Sequence, residues 1–175
     1  LNIDFKSLKD EKFDSIKGSS SGTIYGISSG VTLSVIRCLY HELTSKDISN
    51  DEVLIKNKDF YKEVKVKIKD IIIKCACVSG ISNLEKILEI KDEFNFIEVM
   101  NCHGGCIYGA GQILTPQAEK EKYIKSRSKG LISKDKNPNI KYPYKNPLVK
   151  DLYEDYLNHP GSKKAEMLLH KKRWL

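Results

Sequence analysis

The sequence predicts an α/β protein: one lobe with a mixed β-sheet flanked by helices, followed by a helical C-terminal wrap. Three observations carry that prediction. "EVKVKIK" alternates apolar and charged residues, the period of a half-buried strand. "IIIKCACVSG", "SNLEKIL" and "FNFIEVM" then follow one another as strand, helix and strand, the pattern of an α/β unit. The last third has no comparable strand, and instead offers helix starts at Thr115-Pro116, Asn146-Pro147 and Ser162. The division this predicts is a first unit over 1–114 and a second, helical one over 115–175.

Taken in order, residues 1–20 read as an extended lead-in that ends in the loop "KGSSSG". "GTIYGIS" is rich in β-formers and reads as a strand. Ser28 or Ser29 then caps a helix over 30–43. Val31, Leu33, Val35, Ile36, Leu39 and Leu43 make that helix apolar on most sides, so it should be well buried, with Cys38 as a small buried hydrophobe. The two β-runs that follow are joined by Lys69-Asp70, short enough for a hairpin although not the favoured Asn-Gly turn. Cys75 and Cys77 fall on one face of the second run. A C-x-C pair is able to bind metal, but in an apolar β-run the core reading is preferred. Gly80 ends that strand, and Ser82 to Glu85 form a capping-box pattern that opens a helix to about residue 91. Pro116 at a first helical position starts a charged helix to about residue 129, and "SKDKNPNIKYPYKNP" reads as a loop. "LVKDLYEDYL" is a helix with Leu148, Leu152 and Tyr156 on one face, "HPG" stops it, and Ser162 opens a last helix through "KKAEMLLHKK".

The chain of 175 residues is long enough for one core, and 40% hydrophobic with 30% charged residues reads as soluble and globular. No apolar run is long enough to span a bilayer, and the polar start "LNIDFKSLKDEKFD" lacks the apolar core of a signal peptide. The first residue is Leu1, which suggests a processed or excised chain. The net charge of +7 gathers in the C-terminal third and in "HKKRW". It reads as a solvated basic face, since no nucleic-acid motif accompanies it. Five cysteines, an odd number without a secretory signal, fit a reducing, cytoplasmic setting rather than a disulfide framework.

The chemistry concentrates in "CHGGC", Cys102 to Cys106. Thiolates bind zinc, soft metals and iron–sulfur clusters. Glycines let backbone amides approach such a centre and stabilise its negative sulfurs. A zinc knuckle wants closer spacing and further ligands nearby. A C-x3-C-x2-C motif would need a cysteine where Gly109 stands, a thioredoxin-like site wants C-x-x-C, and the Gly-Lys-Ser/Thr of a phosphate loop is absent.

"FIEVMNCHGGCIYGAGQ" closely resembles the third signature of the iron-only (FeFe) hydrogenases, E-x-M-A-C-P-x-G-C-x-x-G-x-G-Q. "FDSIKGSSSGTIYGISSGVTLSVIRCLY" resembles that family's glycine-rich segment, and "VKIKDIIIKCACVSGISNLEKIL" its hairpin and helix. "NPLVKDLYEDYLNHPGSKKAEMLLHKKRW" is similar to a C-terminal segment that some members carry as a separate small subunit. The resemblance implies an H-cluster: a 4Fe-4S cubane joined through one cysteine sulfur to a diiron unit. Cys102 and Cys106 match two of its four cubane ligands, with Cys106 the thiolate shared with the diiron unit. Gly104 and Gly105 belong to the same cofactor-binding loop. Met100 matches a methionine that packs against the diiron unit, and reads equally as a core methionine at a strand end. Tyr25 stands where the family tends to have a phenylalanine lining the site.

The departures are His103 for the usual Pro or small residue, Asn101 for Ala, Ala110 for Gly and Ile113 for Pro. His103 is read as facing solvent, with a hydrogen bond to sulfur or a proton relay as the other roles open to it. The family's signatures T-S-C-C-P and M-P-C-x-x-K do not occur here. The reading is therefore the second half of a hydrogenase catalytic domain, whose complete form reversibly reduces protons to hydrogen. The isolated chain is expected to be inactive and to lack an intact cluster. A hydrogenase-like iron–sulfur assembly or sensory protein, or a metal-free interaction module, are the alternatives. The partners implied are the missing N-terminal lobe and a ferredoxin-like electron donor, with no nucleic acid and no membrane.

Overall fold

A computed structural model of the chain describes residues 3–11, 18–136 and 138–170. Part of the expected lead-in (12–17), the end of the expected last helix and most of the basic "HKKRW" lie outside the described residues.

Four strands form one sheet in the order β1 (Val53–Asn57), β2 (Lys62–Ile68), β3 (Ile71–Ser79) and β4 (Phe96–Met100). The first three are antiparallel neighbours, while β4 runs parallel to β3. A parallel neighbour needs a crossover, and the helix α3 (Leu84–Glu89) lies within it. The sheet is mixed, as the sequence predicts. The hairpin between β2 and β3 turns at Lys69, whose φ of 54° is left-handed.

Side-chain alternation sends Val64, Val66, Ile68, Cys75 and Cys77 to one face, where they pack with Ile36 and Ile48. Ala76 and Val78 point to the other face and pack with Ile87 of α3. Cys75 and Cys77 are each 1% exposed, so they belong to the core. Burial, reinforced by the charge of Glu98, pushes the Cys75 thiol up to about 11 and the Cys77 thiol up to about 12.

"GTIYGIS" is not a strand. Its residues form a short helix, α1 (Ser20–Thr23), and a 3-10 turn, Ile24–Gly26. The chain doubles back there so tightly that a Cβ on Gly30 would lie 1.8 Å from the Ile24 carbonyl oxygen. The Ser20 and Ser21 amides donate to Ile140 O (2.8 Å) and Lys141 O (3.3 Å). Tertiary closure outweighs β-propensity at this point.

The next helix, α2, runs over Gly30–Thr44, but its burial differs from the apolar expectation. Thr32, Ser34, Ile36 and Arg37 are buried, whereas Val35 and Leu43 are exposed and Cys38 is only half-buried. The cap differs too. Ser29 occupies the N-cap with a φ of 84° and makes no side-chain cap bond. Instead the Glu98 carboxylate accepts from the Ser29 amide (2.6 Å), the Thr32 amide (2.8 Å) and the Thr32 hydroxyl (2.9 Å). A carboxylate at this helix end satisfies orphan amides and complements the helix dipole.

Ser82 does not cap a helix. A 3-10 turn, Ile81–Asn83, precedes α3, and Asn83 at its N-cap makes no side-chain cap bond. The strand β1 has no counterpart in the sequence reading: five residues between polar turns are too short to show a period.

The second segment is helical, as predicted. A 3-10 turn, Gln117–Glu119, leads into α4 (Lys120–Lys136), which runs seven residues past the predicted end at 129. Asn146 caps α5 (Pro147–Leu152) by accepting from the Leu148 amide at 3.1 Å. A π-turn, Tyr153–Leu157, continues it, and this shifts the buried position to Leu157 while Leu152 and Tyr156 face outward. Ser162 caps α6 (Lys163–Leu169) by accepting from the Ala165 amide at 3.1 Å. Among the described residues no helix is long and apolar enough to cross a membrane.

Candidate metal centre

Strand β4 ends at Met100, half-buried and paired with Ser79 at the end of β3. The chain then enters the cysteine loop. The Gly80 amide donates to Met100 O (2.9 Å) and the Ile81 amide to Asn101 O (3.2 Å), so the loop leaves the sheet beside the start of the crossover.

Within the loop, Gly104 and Gly105 have φ of 77° and 103°, values that favour glycine. Space imposes the same requirement. A Cβ on Gly105 would lie 2.6 Å from Gly26 O and 2.9 Å from Ser28 N, and one on Gly104 would meet Ile124 at 2.9 Å. Both amides donate inside the protein, Gly104 N–H to Ser79 Oγ (3.1 Å) and Gly105 N–H to Cys102 O (3.0 Å). Gly104 O in turn accepts from the Ser28 amide at 3.0 Å. These two glycines set the path of the loop and seat it against the turn before α2.

Cys102 is half-buried and Cys106 exposed, so neither sulfur is sealed in the core. Cys106 opens a 3-10 turn, Cys106–Tyr108, which folds the chain back over Cys102. The position a Cβ would take on Gly109 is 3.3 Å from Cys102 Sγ and 3.8 Å from the Cys106 Cα. The loop thus carries two accessible thiols on one tight fold. Among the described residues no cluster of three His, Cys, Asp or Glu side chains forms a metal site. The loop offers a pair of sulfur donors, which suits an iron–sulfur centre drawing its other ligands from elsewhere.

His103 points away from this fold: its Nε2 pairs with Glu121 Oε1 at 3.0 Å, and the two side chains are 46% and 78% exposed. Tyr25 is exposed, with its hydroxyl donating to Ser34 Oγ at 3.3 Å.

One face of α4 follows the loop step by step. Glu121 meets His103, Ile124 packs on Gly104, Arg127 donates to Ile107 O (2.8 Å) and Ile113 O (3.3 Å), and Leu131 packs over Gly26. The spacing of these residues is that of neighbours on a helix surface. Arg127 also lies over the rings of Tyr108 and Tyr123. The sequence reading missed Ser79 and Arg127 as supports of the loop and Glu98 as the group that holds the start of α2. Glu98 stood in the quoted motif, but nothing local marks the other two.

Comparison with known proteins agrees with this architecture. Residues 1–110 match the family model described as iron only hydrogenase large subunit, C-terminal domain, and residues 121–172 match that described as iron hydrogenase small subunit. The chain belongs to the iron-only hydrogenase family.

Among relatives in this family, the NADP-reducing hydrogenase subunit HndD of Solidesulfovibrio fructosivorans is 33% identical over 177 positions, covering 97% of this chain and 30% of that protein. The cytosolic Fe-S cluster assembly factor narfl of Danio rerio is 31% identical over 120 positions, covering 66% of this chain and 28% of that protein. A solved FeFe hydrogenase of Chlamydomonas reinhardtii has the same fold, with a TM-score of 0.70 at 21% identity over 97% of this chain and 51% of that one. The chain therefore spans about a third of the relatives' sequences and about half of the solved chain.

Proposed function

We propose that Cys102 and Cys106 supply two thiolate ligands to an iron–sulfur centre completed by a second lobe, and that the complete protein reversibly reduces protons to hydrogen. The observation that carries this reading is the loop itself: paired sulfur donors left accessible on a backbone braced by left-handed glycines, β3, the turn before α2 and α4. When bound, the H-cluster supplies the electron transfer and the metal site for proton reduction. Cys102 and Cys106 would hold it from this side through their thiolates. Met100, at the end of β4, would pack against it. Ser79 and Arg127 act through the loop and keep the sulfurs in place, and Glu98 ties β4 to the start of α2, beside the turn that the loop is seated against.

Partners and setting follow from the same reading. The isolated chain has half a ligand set and is inactive. The upstream lobe is its obligatory partner, and an acidic, ferredoxin-like electron donor suits the net charge of +7. Free thiols of this kind belong in a reducing compartment such as the cytoplasm.

A second reading, a non-catalytic iron–sulfur assembly protein, is favoured by likeness to an assembly factor at an identity close to that of the hydrogenase subunit. One experiment separates the two. The chain is joined to its upstream lobe and reconstituted anaerobically with iron, sulfide and a diiron unit. Iron and sulfide content are then measured alongside hydrogen evolution from reduced viologen. Cluster loading with turnover supports the hydrogenase. Loading without turnover supports assembly. Loading that is unchanged when both cysteines are replaced by serine overturns both.

A further inference from the structure

A cleft of about 690 Å³ opens between the turn joining β1 to β2 and the helix α4. That volume lies within the range of small-molecule sites. Its floor includes Cys77 and Ser79, at the carboxyl end of β3 where that strand runs parallel to β4. Open α/β sheets place ligands in the crevice beyond the carboxyl ends of their strands. Neither Cys102 nor Cys106 lines this cleft; of the loop from Cys102 to Cys106 only the outward-facing His103 does, while Ser79, Glu121 and Ile124 of the lining touch that loop from outside it.

Its charge is one-sided. Lys58 and Lys62 enter from the β1–β2 side, Lys125 and Lys129 from α4. Lys62 is half-buried and its ammonium donates to Ser28 O at 3.1 Å, which leaves further N–H groups to give. Among the described residues Lys58, Lys125 and Lys129 form no ion pair with a carboxylate. Of the two carboxylates in the lining, Asp59 and Glu121, the second is engaged with His103. Asn83 and the Ser79 hydroxyl add uncharged donors on the floor, and Phe60, Ile124 and Ile132 give the walls an apolar portion. Cations facing one low-dielectric space repel each other and raise the local potential for an anion. Apolar walls with a few convergent polar groups are the usual make-up of a ligand pocket.

We infer that this cleft binds a small organic polyanion. The lysines take its phosphate or carboxylate groups, and Phe60, Ile124 and Ile132 take an apolar or aromatic body. This site is separate from the metal reading and does not depend on it.

The test uses the metal-free full chain, titrated calorimetrically with adenosine 5′-diphosphate, inorganic pyrophosphate and adenosine, with amide shift mapping in parallel. The diphosphate should bind saturably, at least tenfold more tightly than adenosine and more tightly than pyrophosphate. Shifts should centre on Ser79, Asn83 and Ser128. The exposed double variant Lys125→Gln/Lys129→Gln should keep its thermal midpoint and lose about tenfold or more in affinity. Equal binding of adenosine and the diphosphate removes the anionic part of the assignment. Equal binding of pyrophosphate and the diphosphate removes the apolar part. Non-saturable binding, or an unchanged affinity in the double variant, overturns the site altogether.

Discussion

Arg37 on α2 and Asp135 on α4 form a two-point ion pair inside the molecule, Nη1 to Oδ1 at 3.0 Å and Nη2 to Oδ2 at 2.5 Å, with side chains 1% and 4% exposed. Ser20 donates to the same carboxylate at 2.7 Å, and Arg37 also donates to Ser21 Oγ (2.8 Å) and Asn50 Oδ1 (2.9 Å). The pair joins the part of the chain that matches the large subunit to the part that matches the small one. Breaking one partner of such a pair strands the other as a buried charge, at a cost of about 3–5 kcal/mol. Arg37→Met should therefore lower the urea midpoint sharply. Arg37→Met/Asp135→Leu should recover a large part of that loss, because no charge is left stranded. A double variant as unstable as the sum of the two singles would exclude this coupling.

The same pair gives stability an acid limb. Burial opposes ionisation of Asp135, but hydrogen bonds from Arg37 and Ser20 and the guanidinium charge outweigh it, and the carboxyl lies below the usual 3.8. A depressed native value means that the unfolded chain binds the proton more readily. The stabilisation is then fully present above the unfolded value and is lost as pH falls through the native one. Denaturation free energy should fall below about pH 4, and Asp135→Asn should flatten that portion of the curve while lowering the neutral plateau.

Glycines in the cysteine loop divide into required and replaceable. Gly105→Ala forces a Cβ onto Gly26 O at a φ of 103°, a clash added to left-handed strain of about 1–2 kcal/mol. A Cβ on Gly111 would meet nothing within 4 Å. Gly105→Ala should lower the melting midpoint and shift amide signals from Ser28 through Cys106, and Gly111→Ala should leave both unchanged.

Thiol reactivity should separate the cysteines into two classes. With its thiol pushed up to about 11, Cys75 is thiolate in only about one molecule in a thousand at pH 8, and Cys77 at about 12 still less. Both are also buried. Iodoacetamide applied to the native, metal-free chain should modify Cys106 first and Cys102 next. Cys75 and Cys77 should react only in denaturant. Peptide mass spectrometry reads the order directly, and early labelling of Cys75 or Cys77 would contradict their place in the core.

The sequence showed what is written locally. Alternation placed β2 and an apolar β-rich run placed β3, Pro147 and Ser162 marked helix starts, and the spacing of Cys102 and Cys106 pointed to the loop. It misjudged what distant partners decide. Thr32 and Arg37 look like breaks in an apolar helix until Glu98 and Asp135, 66 and 98 positions away, supply their partners. "GTIYGIS" has the composition of a strand, but packing against the cysteine loop and residues 140–141 bends it into a turn. Arg127 sits among six other basic residues of "KEKYIKSRSKGLISKDK", and nothing nearby distinguishes the one that turns inward.

Arg127 provides the sharpest test of how the metal loop is held. Its guanidinium reaches one carbonyl inside the Cys106–Tyr108 turn, Ile107 O, and one beyond it, Ile113 O, so one side chain ties the turn to the segment that follows it. A planar fork can serve two acceptors at once, whereas a lysine ammonium is a point charge on a flexible stem. Each bond from a charged donor contributes about 1.5–3 kcal/mol. Most of that should appear as local order rather than global stability, because the carbonyls regain water when the loop opens. Arg127→Lys should retain the fold and a near-native melting midpoint. It should also speed amide exchange over 106–113 by tenfold or more and raise Cys106 alkylation relative to Cys102. In the complete protein the same change should reduce retained iron per chain under chelator challenge, with Arg127→Ala more severe. Unchanged exchange in 106–113 would mean that β4 and the glycine contacts hold the loop without help from α4.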